Sequence, residues 1–195
     1  QGRDIYCYKF DDNGNPLWLN PLFYGGVVSG NDDQQGYVCN AQDTFVYIGG
    51  RNHLSTNNFI SDMLLLKANK NNGSLQWAKT YAFGLGGYDE MDGLEIRSDG
   101  IYCGGWAHPT DTAANIKIDV GLMKLNFNGD TIWTNCFGQN ATGEHQDGHF
   151  VVDSNAIYVS GLWDGQSIAN ACNGSALLGK FSKTDGSFID STLFG

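Results

Sequence analysis

Three stretches of this chain are apolar almost without interruption: MLLLKA at 63–68, VGLMKL at 120–125 and ALLGKF at 176–181. Runs of this length fit strands covered on both faces better than strands with one wet side. A turn follows each, with a matching one earlier in the chain: DDNGN at 11–15, NKNNG at 69–73, NFNGD at 126–130 and KTDG at 183–186. Asn-Gly and Asp-Gly supply the positive φ that tight hairpins require. A strand carrying a tryptophan comes next, then a strand after Gly36, Gly93 or Gly148. The last is FVYIGG at 45–50, GIYCGG at 100–105 or AIYVSG at 156–161. We label these strands a, b, c and d. A helical reading fails because Gly or Asn interrupts every window of about ten residues.

The pattern repeats. Lys9, Lys67, Lys124 and Lys180 are 58, 57 and 56 residues apart. Asp4, Asp62 and Asp119 stand five residues before the first three, and Ser175 takes that place in the fourth. Trp18, Trp77 and Trp133 follow at nine or ten residues, with Ile189 at the fourth position by count. Tyr47, Tyr102 and Tyr158 recur in strand d, each followed two residues later by Gly49, Gly104 or Ser160. Four-stranded units at this period predict an all-β fold of β-propeller type, with repeats of about 56 residues and four antiparallel strands each. The 195 residues form one repeat domain, with repeats at approximately 4–61, 62–118 and 119–174 and a half repeat at 175–195.

The succession D-x4-K, N/D-G, W, F/Y-G and I/V-Y-x-G resembles the bacterial-type β-propeller repeat family, sometimes called seven-bladed propeller repeats. The resemblance covers three and a half copies. It implies a secreted or surface scaffold and carries over no shared catalytic residue. The repeat here is longer than the usual one, with the extra length after strand d.

Hairpin arithmetic adds a constraint. There are four a–b hairpins and three c–d hairpins, and a closed ring needs equal numbers. The ring is therefore expected to be incomplete in this chain. The missing strands would come from other copies of the chain, or from the rest of a longer chain, through an open sheet edge.

Charge narrows the partners. With 11 Lys plus Arg against 21 Asp plus Glu the net charge is −10. That excludes a nucleic-acid binder, which needs clustered cations. No apolar run approaches the roughly 18 residues of a membrane span, so membrane insertion is not expected. No secretory signal is present, so any such segment is expected to have been removed or to lie outside this chain. Sequons at Asn72, Asn140 and Asn173 point to glycosylation and an extracellular or cell-surface location.

Candidate chemistry falls on the end of the sheets that carries the long b–c and d–a loops. The b–c loops hold Asp32 and Asp33, then Asp89, Glu90 and Asp92, then Glu144 and Asp147. Hard cations take carboxylate oxygens, so calcium is the cofactor these loops suggest. No loop has the D-x-[DN]-x-[DN]-G spacing, and a solvated acidic rim is the competing explanation. In the d–a loops His53, His108 and Asp164 each stand three residues after a glycine, and Trp106 and Trp163 sit at matching or adjacent positions. This set makes a candidate glycan-binding surface of aromatic rings with a polar rim, or else satisfied loop residues that cap the sheets.

Catalysis has little support. A sialidase needs an arginine triad, and of Arg3, Arg51 and Arg97 the last falls at the opposite end. No nucleophile elbow or phosphate loop occurs. The expected function is a non-catalytic extracellular scaffold, with a carbohydrate-binding module and a glycoside hydrolase as alternatives. Cys7, Cys39 and Cys103 replace aliphatic residues of other repeats and are expected to be buried, whereas Cys136 and Cys172 are the candidate disulfide.

Overall fold

A computed structural model describes residues 3–26, 33–53, 60–84, 87–108, 119–138, 144–145, 149–163 and 175–194. The fold is all-β and antiparallel. The first sheet is a hairpin of β1 (Ile5–Cys7) and β2 (Leu22–Tyr24). The second is β3 (Asp33–Gln42), β4 (Phe45–His53), β5 (Ser61–Asn69) and β6 (Leu75–Tyr81), hydrogen-bonded in that order. The third repeats this order with β7 (Glu90–Arg97), β8 (Gly100–Ala107), β9 (Asp119–Leu125) and β10 (Thr131–Phe137). In the fourth, β11 (Glu144–His145) and β12 (Phe150–Val152) both pair with β13 (Ala156–Trp163), followed by β14 (Ser175–Ser182) and β15 (Phe188–Phe194). Among the described residues no sheet closes into a ring.

Each sheet joins strands c and d of one repeat to a and b of the next. The sheets thus run half a repeat out of step with the counted units. The segment 175–195, taken as a half repeat, is in register with β13 from Ala156↔Ser182 to Trp163↔Ser175. The hairpin left without c and d strands is the first one.

In the second and third sheets strand a is apolar throughout because it is covered on both faces; β14 is covered on one only, against the expectation from 176–181, with Ala176 and Leu178 exposed on the other. Leu64, Leu66 and Ala68 of β5 pack with Ile5, Trp18 and Leu22 of the hairpin, while Met63 and Leu65 pack with Met91, Leu94 and Met123 of the third sheet. In the same way Val120 and Leu122 of β9 meet Phe150, Val159 and Phe181 of the fourth. Three thin cores therefore lie between four stacked sheets. Fully burying each such side chain contributes about 1.5–3 kcal/mol.

The tryptophans and lysines tie each sheet to the next. Trp18 Nε1 donates to Lys70 O (3.0 Å) and Trp133 Nε1 to Lys183 O (3.2 Å), both carbonyls in the a–b turn of the following sheet. Lys9 Nζ also reaches Lys70 O, and Lys67 Nζ reaches the equivalent Phe127 O at 3.0 Å. The inter-sheet bonds of Lys9 and Lys67 thus go to turn carbonyls, while Lys79 pairs with the Asp130 carboxylate of the third sheet at 2.8 Å. In the fourth sheet Lys180 pairs with Asp190 as Lys67 does with Trp77. The tryptophan slot there holds Asp190, and Ile189, assigned to it by count, is the bulged residue.

Candidate functional site

At the long-loop end the second and third sheets are stitched together by backbone. Ser61 N–H donates to Gly87 O (3.0 Å), Asp89 N–H to Ser61 O (2.8 Å), and Ser61 Oγ–H to Asp89 O (3.0 Å). The stitch positions Tyr88 and Asp89 between the ends of β4 and β8. Asp89 is 1% exposed, and its carboxylate accepts N–H bonds from Phe83 and His108, both 2.8 Å. Burial pushes its carboxyl up to about 6 in spite of those two bonds.

Tyr88 is the hub of an aromatic and charged cluster. Its ring lies 5.9 Å from that of His53, 6.2 Å from Trp106 and 6.2 Å from His108. The Arg51 guanidinium sits 4.8 Å from its centroid, and Arg51 Nη1 donates to Glu90 Oε2 at 3.0 Å. His108 Nδ1 is held against both the amide and the carbonyl of Tyr88. Burial, reinforced by Arg51, pulls His53 below the ordinary histidine range. Burial raises Glu90 against the pull of Arg51.

The structure therefore brings His53, Trp106, His108, Asp89 and Glu90 into one junction, with Arg51 and Tyr88 between them. Tyr88 was not singled out from sequence; its one signal was an aromatic next to an acidic pair in a loop. Trp106 is half-buried, its ring tilted 52° to that of Tyr88. Among the described residues no group of three or more His, Cys, Asp or Glu is arranged to hold a metal ion. The acidic side chains here have protein partners: Asp89 two backbone amides, Glu90 an arginine, and Asp33 the side-chain amide of Gln35 at 2.7 Å. Asp32, Asp147, Asp164, Asn140, Asn173 and Cys172 lie outside the described residues, and Glu144 and Trp163 are described as backbone only. Asn72 is exposed in the a–b turn of the second sheet, where its Oδ1 accepts the Ser74 N–H.

Arg51 and Arg97 are engaged by separate carboxylates, Glu90 and Glu95, at opposite ends of their sheets. The arrangement can lock two sheets together.

The second candidate is an edge. Among the described residues no strand pairs with the side of β1 opposite β2. The hairpin displays Tyr6, Tyr8, Phe10 and Phe23 to solvent, with Tyr6 60% exposed, where the same slot of β5 holds the fully buried Leu64. A cleft of about 320 Å³ separates β1 from β3, lined by Ile5, Cys7, Gly36, Val38 and Cys39 among others. Cys39 is exposed on it, contrary to the expectation of a buried hydrophobe; its counterparts Leu94 and Phe150 are buried because a complete sheet stands in front of them. Cys103 is buried as expected, and Cys7 is half-buried. The surplus of a–b hairpins signalled an open edge, but not that it lay at the first strand. The chain matches no protein-family model and no curated protein sequence.

Proposed function

We propose that this chain is a non-catalytic extracellular scaffold of propeller-type repeats that assembles through its open sheet edge. The unpaired side of β1, beside the exposed aromatic face of its hairpin, carries this reading. An edge of this kind presents backbone donors and acceptors in register for another strand, and natural proteins normally cover or charge it. Tyr6, Tyr8, Phe10 and Phe23 add apolar area of the kind that marks contact surfaces. The exposed sequon at Asn72 supports an extracellular setting.

Sedimentation over about two decades of concentration tests the reading, because association follows mass action. The chain should associate, and Tyr6→Lys should suppress association by placing a charge on the edge. A stable monomer throughout, or association indifferent to Tyr6→Lys, would overturn it.

A further inference from the structure

In every complete sheet the strand beside strand a obeys one register. Tyr47 pairs with Lys67, Tyr102 with Lys124 and Tyr158 with Lys180. The lysine nitrogens stand 5.5, 4.9 and 5.8 Å from the ring centroids, within cation–π range. Two residues on, Gly49, Gly104 and Ser160 pair with Leu65, Leu122 and Leu178. In the first hairpin the lysine slot holds Lys9 and the leucine slot Cys7. Both slots are in place, and among the described residues the strand that should face them is missing.

The space for that strand is also in place. β7 lies against β4 and β5 of the sheet before it, and β3 stands to β1 as β7 stands to β5. The cleft of about 320 Å³ between β1 and β3 therefore falls where β4 falls one sheet later. At its floor β3 offers a glycine where β7 offers a methionine, with Ile48 Cγ2 and Ile5 Cγ2 3.3 and 3.5 Å from where a Cβ on that glycine would be. In β7, Met91 fills the space at Gly49, its sulfur 2.6 Å from where a Cβ would be. In β3 the corresponding residue is Gly36: it pairs with Gly50, as Met91 pairs with Gly105.

We infer that β1 accepts, as an antiparallel third strand, the second strand of a c–d hairpin of this same repeat. The accepted strand carries the pattern aliphatic–Tyr–x–Gly/Ser, with its tyrosine opposite Lys9 and its small residue opposite Cys7. The chain's own three such strands, β4, β8 and β13, are each flanked on both sides. The donor that completes the sheet is thus a further hairpin of this type; a folded second copy has no free strand of this pattern, so its association at the edge is one that the matching strand displaces. The inference rests on the scaffold reading and adds to it the identity and register of the partner strand.

The probe is a synthetic peptide of residues 150–163 with Ser160→Cys, its thiol activated as a mixed disulfide with thionitrobenzoate. It is mixed with the full chain carrying Cys39→Ser. Cys7 thiolate attacks the peptide sulfur, the old S–S bond breaks, thionitrobenzoate leaves with the electron pair, and the Cys7 proton passes to solvent. Peptides with the cysteine moved to position 159 or 161 serve as controls, since the register sets those residues opposite Tyr8 and Tyr6. The Ser160→Cys peptide should modify Cys7 about tenfold faster than either control, with the site confirmed by peptide mapping. The unactivated peptide 150–163 should suppress self-association of the chain, and its Tyr158→Ala form should not. Equal rates for the three positions would overturn the register while leaving assembly at the edge intact. Failure of every peptide to bind, with association persisting, would show that a second copy fills the edge, and would likewise overturn the inference. A monomer that binds no peptide would sink both readings.

Discussion

Trp133 lies so close to Gly186 that its Cζ3 stands 2.5 Å from where a Cβ on that glycine would be. The same contact recurs one sheet earlier, between Trp77 and Gly129 at 3.0 Å, and before that between Trp18 and Gly73 at 2.8 Å. Each tryptophan of one sheet covers the turn glycine of the next. Gly186 also has a φ of +72°, so alanine there meets both a ring and a left-handed backbone. Overpacking costs about 1–3 kcal/mol and the backbone about 1–2. Gly186→Ala should therefore lose about 2–5 kcal/mol in urea denaturation. Gly14 has a φ of +82° with nothing within 4 Å of its would-be Cβ, so Gly14→Ala should lose only the backbone part, about 1–2 kcal/mol. Equal losses would show that the ring contact contributes nothing.

Tyr88 contacts groups from both sheets that meet at the long-loop end. Removing its ring strands Arg51 above a void and separates His53 from Trp106 and His108. Tyr88→Ala should cost about 2–4 kcal/mol, the range for truncating a partly buried aromatic that also faces a cation. Tyr88→Phe keeps the ring and the backbone bonds to His108 and should cost under about 1 kcal/mol. Thermal melts of the two variants read the difference, and a similar loss in both would shift the weight from the ring to the hydroxyl.

Asp89 gives the junction a pH dependence with a definite sign. Its folded-state carboxyl is pushed up to about 6, above the ordinary aspartate range, because burial outweighs the two amide bonds. The native state therefore holds the proton more tightly than the unfolded chain. This contribution is fully present below about pH 4 and is lost as pH rises through about 6, an effect of order 2–3 kcal/mol. His53 runs the other way. Its proton is held less tightly in the fold, so its contribution is lost as pH falls from the ordinary histidine range. Asp62 nearby adds to the rise at Asp89. The difference between wild type and Asp89→Asn isolates the aspartate: the fall in stability between about pH 4 and 6 should vanish in the variant. Parallel stability curves for the two proteins would contradict the buried-carboxyl account.

The fold was readable in the sequence because strand a is apolar on both faces and its lysine, tryptophan and turn glycine recur at almost constant spacing. Those features are enforced by each sheet's contact with the next, so they repeat wherever the contact does. Sheet boundaries were less legible. A repeat unit can be cut at any phase, and only hydrogen bonding shows that β4 pairs with β5 across the long d–a connection. Ile189 was misplaced by one residue because the lysine-to-tryptophan spacing is ten residues in the second sheet and nine in the third, so counting alone leaves 189 and 190 both open. At the candidate site, the loop positions of His53, His108 and Trp106 followed from spacing. Their convergence on Tyr88 did not, since it depends on a stitch between Ser61 and Asp89 made by backbone atoms. Cys39 reads as buried because counting sets it against the aliphatic Ile96 and Val151; by register its counterparts are Leu94 and Phe150, and what differs is the missing strand in front of β3, which Cys39 itself does not encode.

Thiol reactivity separates these environments in one experiment. Cys39 is exposed on the open cleft, whereas Cys103 is buried between the second and third sheets. Cys136 is half-buried near Phe181 and Phe188, and burial pushes its thiol up to about 12. Burial also raises Cys103 far above the ordinary thiol range. Only the thiolate attacks a disulfide reagent, so at pH 8 the reactive fraction at Cys136 is far smaller than at an ordinary cysteine. Cys7 is raised more modestly, by burial and then by the neighbouring Cys39. With Ellman's reagent and peptide mapping the expected order is Cys39 first, Cys7 next, and Cys136 and Cys103 only when the sheets separate in denaturant. The same order gives an assay for occupation of the edge. A strand seated between β1 and β3 should slow Cys39 and Cys7 together and leave Cys103 and Cys136 unchanged. Rapid modification of Cys103 in the native protein would show that the second and third sheets part without denaturant, and protection of Cys39 in the dilute monomer would show that the cleft is closed.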